Sequence, residues 1–219
     1  MIEVAKKVFE ESAPDFANQL KVIATILIQN PELAPRLSAG TPFGSELYWE
    51  SLAGRYIRGR NPKTPKEPTT VPDTLVSIIL QDYFGFEDHS IAKIAKEHSL
   101  SMAAENIVGD LLERYIASEL EIHGWVWCSG EVVKKVDFLG VGTGETLEWV
   151  PIQIKNRDNS ENSSSSSVRD GTGIVKWFRT FSRTGATNWE AFPEKVAGVT
   201  LSEKAFEEFA CDYLRKLKS

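Results

Sequence analysis

Cysteine is nearly missing from this chain: 219 residues hold two, Cys128 and Cys211. Two thiols cannot form a disulfide framework, so a reducing cytosol is the expected compartment. Histidine is also scarce, and His89, His98 and His123 lie far apart, which argues against a structural zinc site. No apolar run has membrane-spanning length; the longest candidate, 22–28, is interrupted by polar neighbours. Lys6 and Lys7 are not followed by a signal-peptide core or a small-residue cleavage site. Neither a GxxxxGKS phosphate loop nor a GxSxG nucleophile elbow occurs. Cys128 has His123 nearby but ends the apolar run Trp125-Val126-Trp127-Cys128, so a buried core thiol is expected rather than a nucleophile.

A basic excess is missing as well. The net charge is -6, with 25 Lys and Arg against 31 Asp and Glu. Whole-chain charge hides local patches. Arg55, Arg58, Arg60, Lys63 and Lys66 follow one another with no acid between them. A second zone, 155–183, holds six basic residues against Asp158, Glu161 and Asp170. Each zone reads as a solvated surface or as a polyanion contact. The hydrophobic fraction of 42% supplies a core for one large domain, or one domain with a sizeable subdomain.

Apolar spacing predicts helices through the first hundred residues, around 16–27, 45–56, 74–83 and 90–97. Pro62, Pro65, Pro68 and Pro72 mark 61–73 as a linker or surface loop. A long helix is expected from Ser101, as N-cap, to His123, closed by Gly124. The pattern then changes to period two. Val132, Val136 and Phe138 face one side and Val133, Asp137 and Leu139 the other, followed by a turn over 140–145 and a strand over 147–155. A strand over 196–200 and a helix over 203–216 complete the pattern. The expected fold is α/β: a mixed sheet flanked by helices over 101–219, preceded by a helical subdomain over 1–100. The five-serine run 163–167 reads equally as a flexible linker or as small hydroxyls lying close to phosphates.

Asp137 and Gln153-Ile154-Lys155 carry the candidate chemistry. Gln153 and Lys155 share one face of their strand. An acid and a lysine meeting across two paired strands suit metal-assisted phosphodiester hydrolysis. The acid and the Ile154 carbonyl would hold magnesium, and the lysine would sit beside the attacked phosphate. Glu113, on the preceding helix, is the choice for a further carboxylate, with Glu105 and Glu119 competing; Gly109 would let that helix approach the sheet. Glu148 is an alternative strand acid but faces away from Lys155 by parity, and Pro151 is awkward in a central strand. A strand-end acid bonded to a turn and a solvated lysine would account for the same spacing.

The combination resembles the PD-(D/E)XK nuclease superfamily, with Val136-Asp137 in the place of Pro-Asp and Gln153-Ile154-Lys155 in the place of acid-x-lysine. More closely, the chain resembles the SinI-type restriction endonucleases. The resemblance lies in 104–115, in Gly124-Trp125-Val126-Trp127-Cys128-Ser129-Gly130, in 154–163 and in Lys176-Trp177-Phe178-Arg179-Thr180-Phe181-Ser182. It implies a type II site-specific deoxyribonuclease of a prokaryotic cytoplasm. Such an enzyme recognises GGWCC, uses Mg2+, acts as a homodimer on double-stranded DNA, and is paired with a cognate DNA methyltransferase without a stable complex. The catalytic set would be Asp137, Glu113, Gln153 and Lys155, with Asp137, Glu113 and Ile154 at the metal. Gln153 departs from the family's acid, and an amide is a weaker ligand. Guanine readout favours arginine and lysine. Arg157 and Arg169 are the first choices, followed by Lys176, Arg179 and Arg183, with Asn156, Asp158 and Asn159 beside them. A structure-specific repair nuclease, a DNA-binding protein with a decayed site, and a helical interaction module are the competing readings.

Overall fold

A computed structural model of the chain describes all residues except 38–39, 70, 72, 142–148, 159–172, 194–195 and 219. Three helices open the fold: α1 (Ile2–Ser12), α2 (Ala17–Gln29) and α3 (Glu46–Arg60). Ser45 caps α3 by accepting from the Tyr48 amide. α4 (Thr74–Asp82) follows residues 61–73, which contain no described helix or strand. α5 (Asp88–Leu120) leads into β1 (Val126–Trp127), β2 (Phe138–Val141), β3 (Trp149–Arg157), β4 (Val175–Thr180) and α6 (Glu203–Lys216).

The sheet is mixed. Its order is β1-β2-β3-β4, antiparallel through the first two pairings and parallel between β3 and β4. Side-chain alternation gives the sheet two apolar faces. Val126 and Leu139 join the core built by α1, α2 and α3. Trp127, Phe138, Ile152, Ile154 and Trp177 join the core built by α5 and α6. The sheet is therefore the middle layer between two sets of helices. Pro151 is accommodated because Ile152 turns its carbonyl toward Asp137, so Pro151 turns its missing donor the other way, where β4 pairing begins only at Ile152.

The structure corrects several expectations. The helices expected over 90–97 and 101–123 are one helix, and Ser101 lies inside it rather than at a cap. A 3-10 turn follows, and Gly124 closes the segment at φ +88. Residues 132–137 are not a strand. Val132, Val133 and Val136 are buried by a looped path in which Gly130, Glu131 and Lys135 take positive φ. Residues 196–200 form no strand, and the fourth strand is β4. Gly109 is not a packing device, since a Cβ there would meet open space. Of the expected turn over 140–145, Gly140 and Val141 belong to β2 and the rest lies outside the described residues.

Arg114 ties the layers together. It pairs with Asp110 at 2.6 Å and donates to the carbonyls of Gly59, Arg60 and Asn61, which the end of α3 leaves without helical partners. Arg60 lies over the rings of Phe16, Tyr56 and Trp127 and pairs with Glu121. Both cations therefore sit in interior stacks rather than on the solvated face expected for Arg60.

Candidate active site

Asp137 is held at three points just ahead of β2. Its amide donates to the Ile152 carbonyl at 2.8 Å, and its carbonyl accepts from the Cys128 amide at 2.8 Å. Its carboxylate Oδ2 accepts from the Ile154 amide at 2.6 Å. An extended residue turns its N–H and C=O to the same side, so the Ile154 carbonyl also faces the Asp137 side of β3. Ile152 and Ile154 point into the core, which sends Gln153 and Lys155 to the opposite face.

On that face, Asp137, Gln153 and Lys155 line one cleft of about 420 Å³. Its other walls include Arg36, Arg55, Lys134 and Lys135. Arg55 reaches it from α3 and donates to the Gly130 carbonyl at 2.5 Å. α3 comes this close because two glycines meet. A Cβ on Gly59 would stand 2.3 Å from the Gly130 amide nitrogen, and one on Gly130 would stand 2.4 Å from the Arg55 carbonyl. Lys135 takes φ +63, a conformation rare for a residue with a side chain, beside the acid.

Glu113 approaches from α5, with Oε2 accepting from Trp127 Nε1 at 3.0 Å. Burial, and then the charge of Asp137, push Glu113 up to about 8. Burial pushes Asp137 up to about 6, against the pull of the Ile154 amide and the Lys155 charge. The Asp137 charge therefore acts on Glu113 and the Lys155 charge on Asp137, while Glu113 is not among the residues that line the cleft. Of the competing helix acids, Glu105 is exposed and Glu119 acts on Tyr115. Glu148 lies outside the described residues. Among the described residues no cluster of three or more His, Cys, Asp or Glu could hold a metal. Cys128 is a buried thiol, and burial raises its pKa well above the ordinary value.

These acids set a pH dependence. Both carboxyls have raised folded-state pKa values, so the fold holds protons that the unfolded chain has released. The resulting stability is complete below the ordinary carboxyl range and is lost as pH rises through about 6 and then about 8. Each such proton costs about 1.4 kcal/mol per pH unit over that window. In chelator, the urea midpoint should fall between pH 5.5 and 8.5 more steeply for the parent than for Glu113→Gln. Parallel curves for the two proteins would contradict the coupling.

The expected DNA-contacting residues fall into three groups. Arg157 is exposed at the end of β3, Lys176 is exposed on β4, and Arg183 is exposed in the turn after β4. Arg179 is turned inward: it pairs with Glu203, donates to Asn156 Oδ1 at 3.0 Å and lies over Phe206. Asp158 accepts from the Ser182 amide at 2.9 Å. Asn159, Arg169 and the serine run 163–167 lie outside the described residues. Sequence reasoning missed Arg36, Lys134 and Lys135 and took Arg55 only as part of a basic zone. The signal for two of them was adjacency, since Lys134-Lys135-Val136-Asp137 puts two cations directly before the acid.

A family model described as SinI restriction endonuclease matches residues 1–216. The type II restriction enzyme SinI of Salmonella infantis is 47% identical, over 99% of this chain and 95% of its own length. The type II restriction enzyme Eco47I of Escherichia coli is 45% identical, over 98% of this chain and 94% of its own. With matches of this extent and a mixed α/β sheet beneath a cleft of acids and cations, the chain belongs to the SinI restriction endonuclease family and is a site-specific deoxyribonuclease of type II.

Proposed function

We propose that this endonuclease cuts double-stranded DNA at GGWCC with magnesium, through a PD-(D/E)XK-like centre of Asp137, Glu113, Gln153 and Lys155, and that two copies act on one site. The observation carrying the reading is that Asp137 and Lys155 open on one cleft, where the Lys155 charge pulls the Asp137 pKa down against the effect of burial. The donor set fits magnesium. Two carboxylates with raised pKa values gain from a cation between them, and a backbone carbonyl with waters suits a hard ion that keeps much of its hydration. Asp137, Glu113 and the Ile154 carbonyl would hold the ion. When bound, it supplies Lewis acidity toward the phosphate and lowers the pKa of a coordinated water.

The chain's own residues do the remaining work. Lys155 holds a fixed positive charge where negative charge grows on the phosphate, and it orients the attacking water. Gln153, buried beside it on β3, positions that water or a metal-coordinated one. The Ile154 amide fixes the rotation of the Asp137 carboxylate. In this reading residues 101–219 carry the chemistry. Residues 1–100 support it through α1, α2 and α3, which pack on the sheet face that carries Gln153 and Lys155, and add Arg36 and Arg55 to the cleft. Arg157 and Arg169 read guanines, and Lys176, Arg183 and the neighbouring Asn156, Asp158 and Asn159 serve the same strand. Arg179 acts as a brace. The W position is told from G·C by shape or by the minor groove.

Digestion of a sequenced plasmid with magnesium, calcium or chelator tests the proposal. Fragments ending at GGWCC with magnesium alone are expected. Discrete fragments mapping elsewhere would refute the specificity, and equal cutting in chelator would refute the metal. A second prediction concerns the cationic wall. Lys134→Ala with Lys135→Ala should weaken cognate and non-cognate binding about equally and lower the slope of log K against log salt by roughly 2. A loss confined to cognate DNA would instead assign these lysines to base readout.

A further inference from the structure

α4 is an apolar helix that buries none of its residues. Leu75, Val76, Ile78 and Ile79 are 61%, 52%, 47% and 51% exposed, and Tyr83 and Phe84 beyond them are 81% and 62% exposed. Leu75, Ile78 and Ile79 recur at the spacing that normally marks a core-facing stripe. With the first half of α5, whose Leu100 and Met102 are also exposed, α4 makes an arm carrying more apolar surface than a soluble monomer ordinarily shows.

We propose that this arm is where two copies of the chain pair, with α4 of one protomer against α4 of its partner. The inference rests on the two-copy part of the function proposed above and assigns it a surface. Two observations favour a second copy over a different protein. First, α4 carries no charge from Thr74 to Gln81. At a twofold contact the residues near the axis lie beside their own mates, so a charge there would face itself, and an uncharged stripe avoids that repulsion. Second, a standard interface takes about 800 Å² from each partner, and large apolar side chains about half exposed along this arm supply area of that order. Each chain also carries one candidate centre, whereas a duplex offers two strands related by a twofold axis.

The test uses the full-length protein without DNA or magnesium, so its outcome does not depend on cleavage. Sedimentation equilibrium should give a dimer at low micromolar concentration for the parent. Leu75→Glu with Ile79→Glu should raise the dimer dissociation constant at least ~100-fold, on the scale of losing central interface contacts. The circular dichroism should not change, since both side chains are exposed in the protomer. In a Cys211→Ser background, Ile79→Cys should form a disulfide-linked dimer on mild oxidation, which keeps the test decisive if the charged variant misfolds. A parent that stays monomeric at about 50 µM, a charged variant that dimerises like the parent, or an Ile79→Cys protein that does not cross-link would each overturn the assignment. A monomeric parent would leave the arm to a different protein partner.

Discussion

Asp137→Asn should lower the cleavage rate by roughly 10³-fold or more while leaving duplex binding within a few-fold. The substitution keeps the shape of the side chain, and its oxygen can still accept from the Ile154 amide, so the turn ahead of β2 is preserved. What it removes is the negative charge facing Lys155 and Glu113. A group that serves the chemical step rather than the grip on the duplex acts on kcat far more than on binding. Lys155→Met should give a similar loss of rate with a somewhat larger loss of affinity, because on the proposed mechanism its charge would also face the phosphate in the bound state. Gel-shift binding in calcium and single-turnover cleavage in magnesium separate these effects. A Lys155→Met protein that cuts within tenfold of the parent would remove the lysine from the chemistry.

Arg114→Met should destabilise the protein by about 3 kcal/mol. The guanidinium is 9% exposed and satisfies Asp110 and three carbonyls at the end of α3 at once. Methionine keeps the bulk between Trp127 and Tyr213 but leaves those acceptors without a donor. The loss falls at the low end for a broken buried pair because Lys63 still faces Asp110 at 2.7 Å. Urea unfolding at constant pH measures it. A change under 1 kcal/mol would mean that water replaces the guanidinium at the end of α3.

The legible parts of this chain were those where local pattern and final environment agree. α6 was readable to the residue because Ser202 caps it, and its amphipathic face lies on α5. Gln153 and Lys155 were readable as one face because strand parity survives any register. The loop 128–137 was not legible. Val132, Val133 and Val136 alternate as a strand would, but they are buried by a path with left-handed turns at Glu131 and Lys135, which no propensity favours. Ser101 looked like a cap because its hydroxyl could serve one, yet the residues around it continue the helix. Arg60 looked like surface charge because nothing local announces the rings of Phe16, Tyr56 and Trp127 that receive it. Arg36, Arg55, Lys134 and Lys135 come from distant stretches of chain, and only the fold brings them to one cleft.

The unbroken run of α5 has a mechanical consequence. At about 1.5 Å per residue, its 33 residues make a rod near 50 Å long, with exposed Leu100 along its first half and Glu113 further on. A rod with no hinge fixes the separation between whatever grips its outer end and the acid near its other end. If two copies clasp there, α5 becomes the ruler that sets the stagger of the two cuts, and a glycine pair inserted midway should blur the product ends without touching either centre.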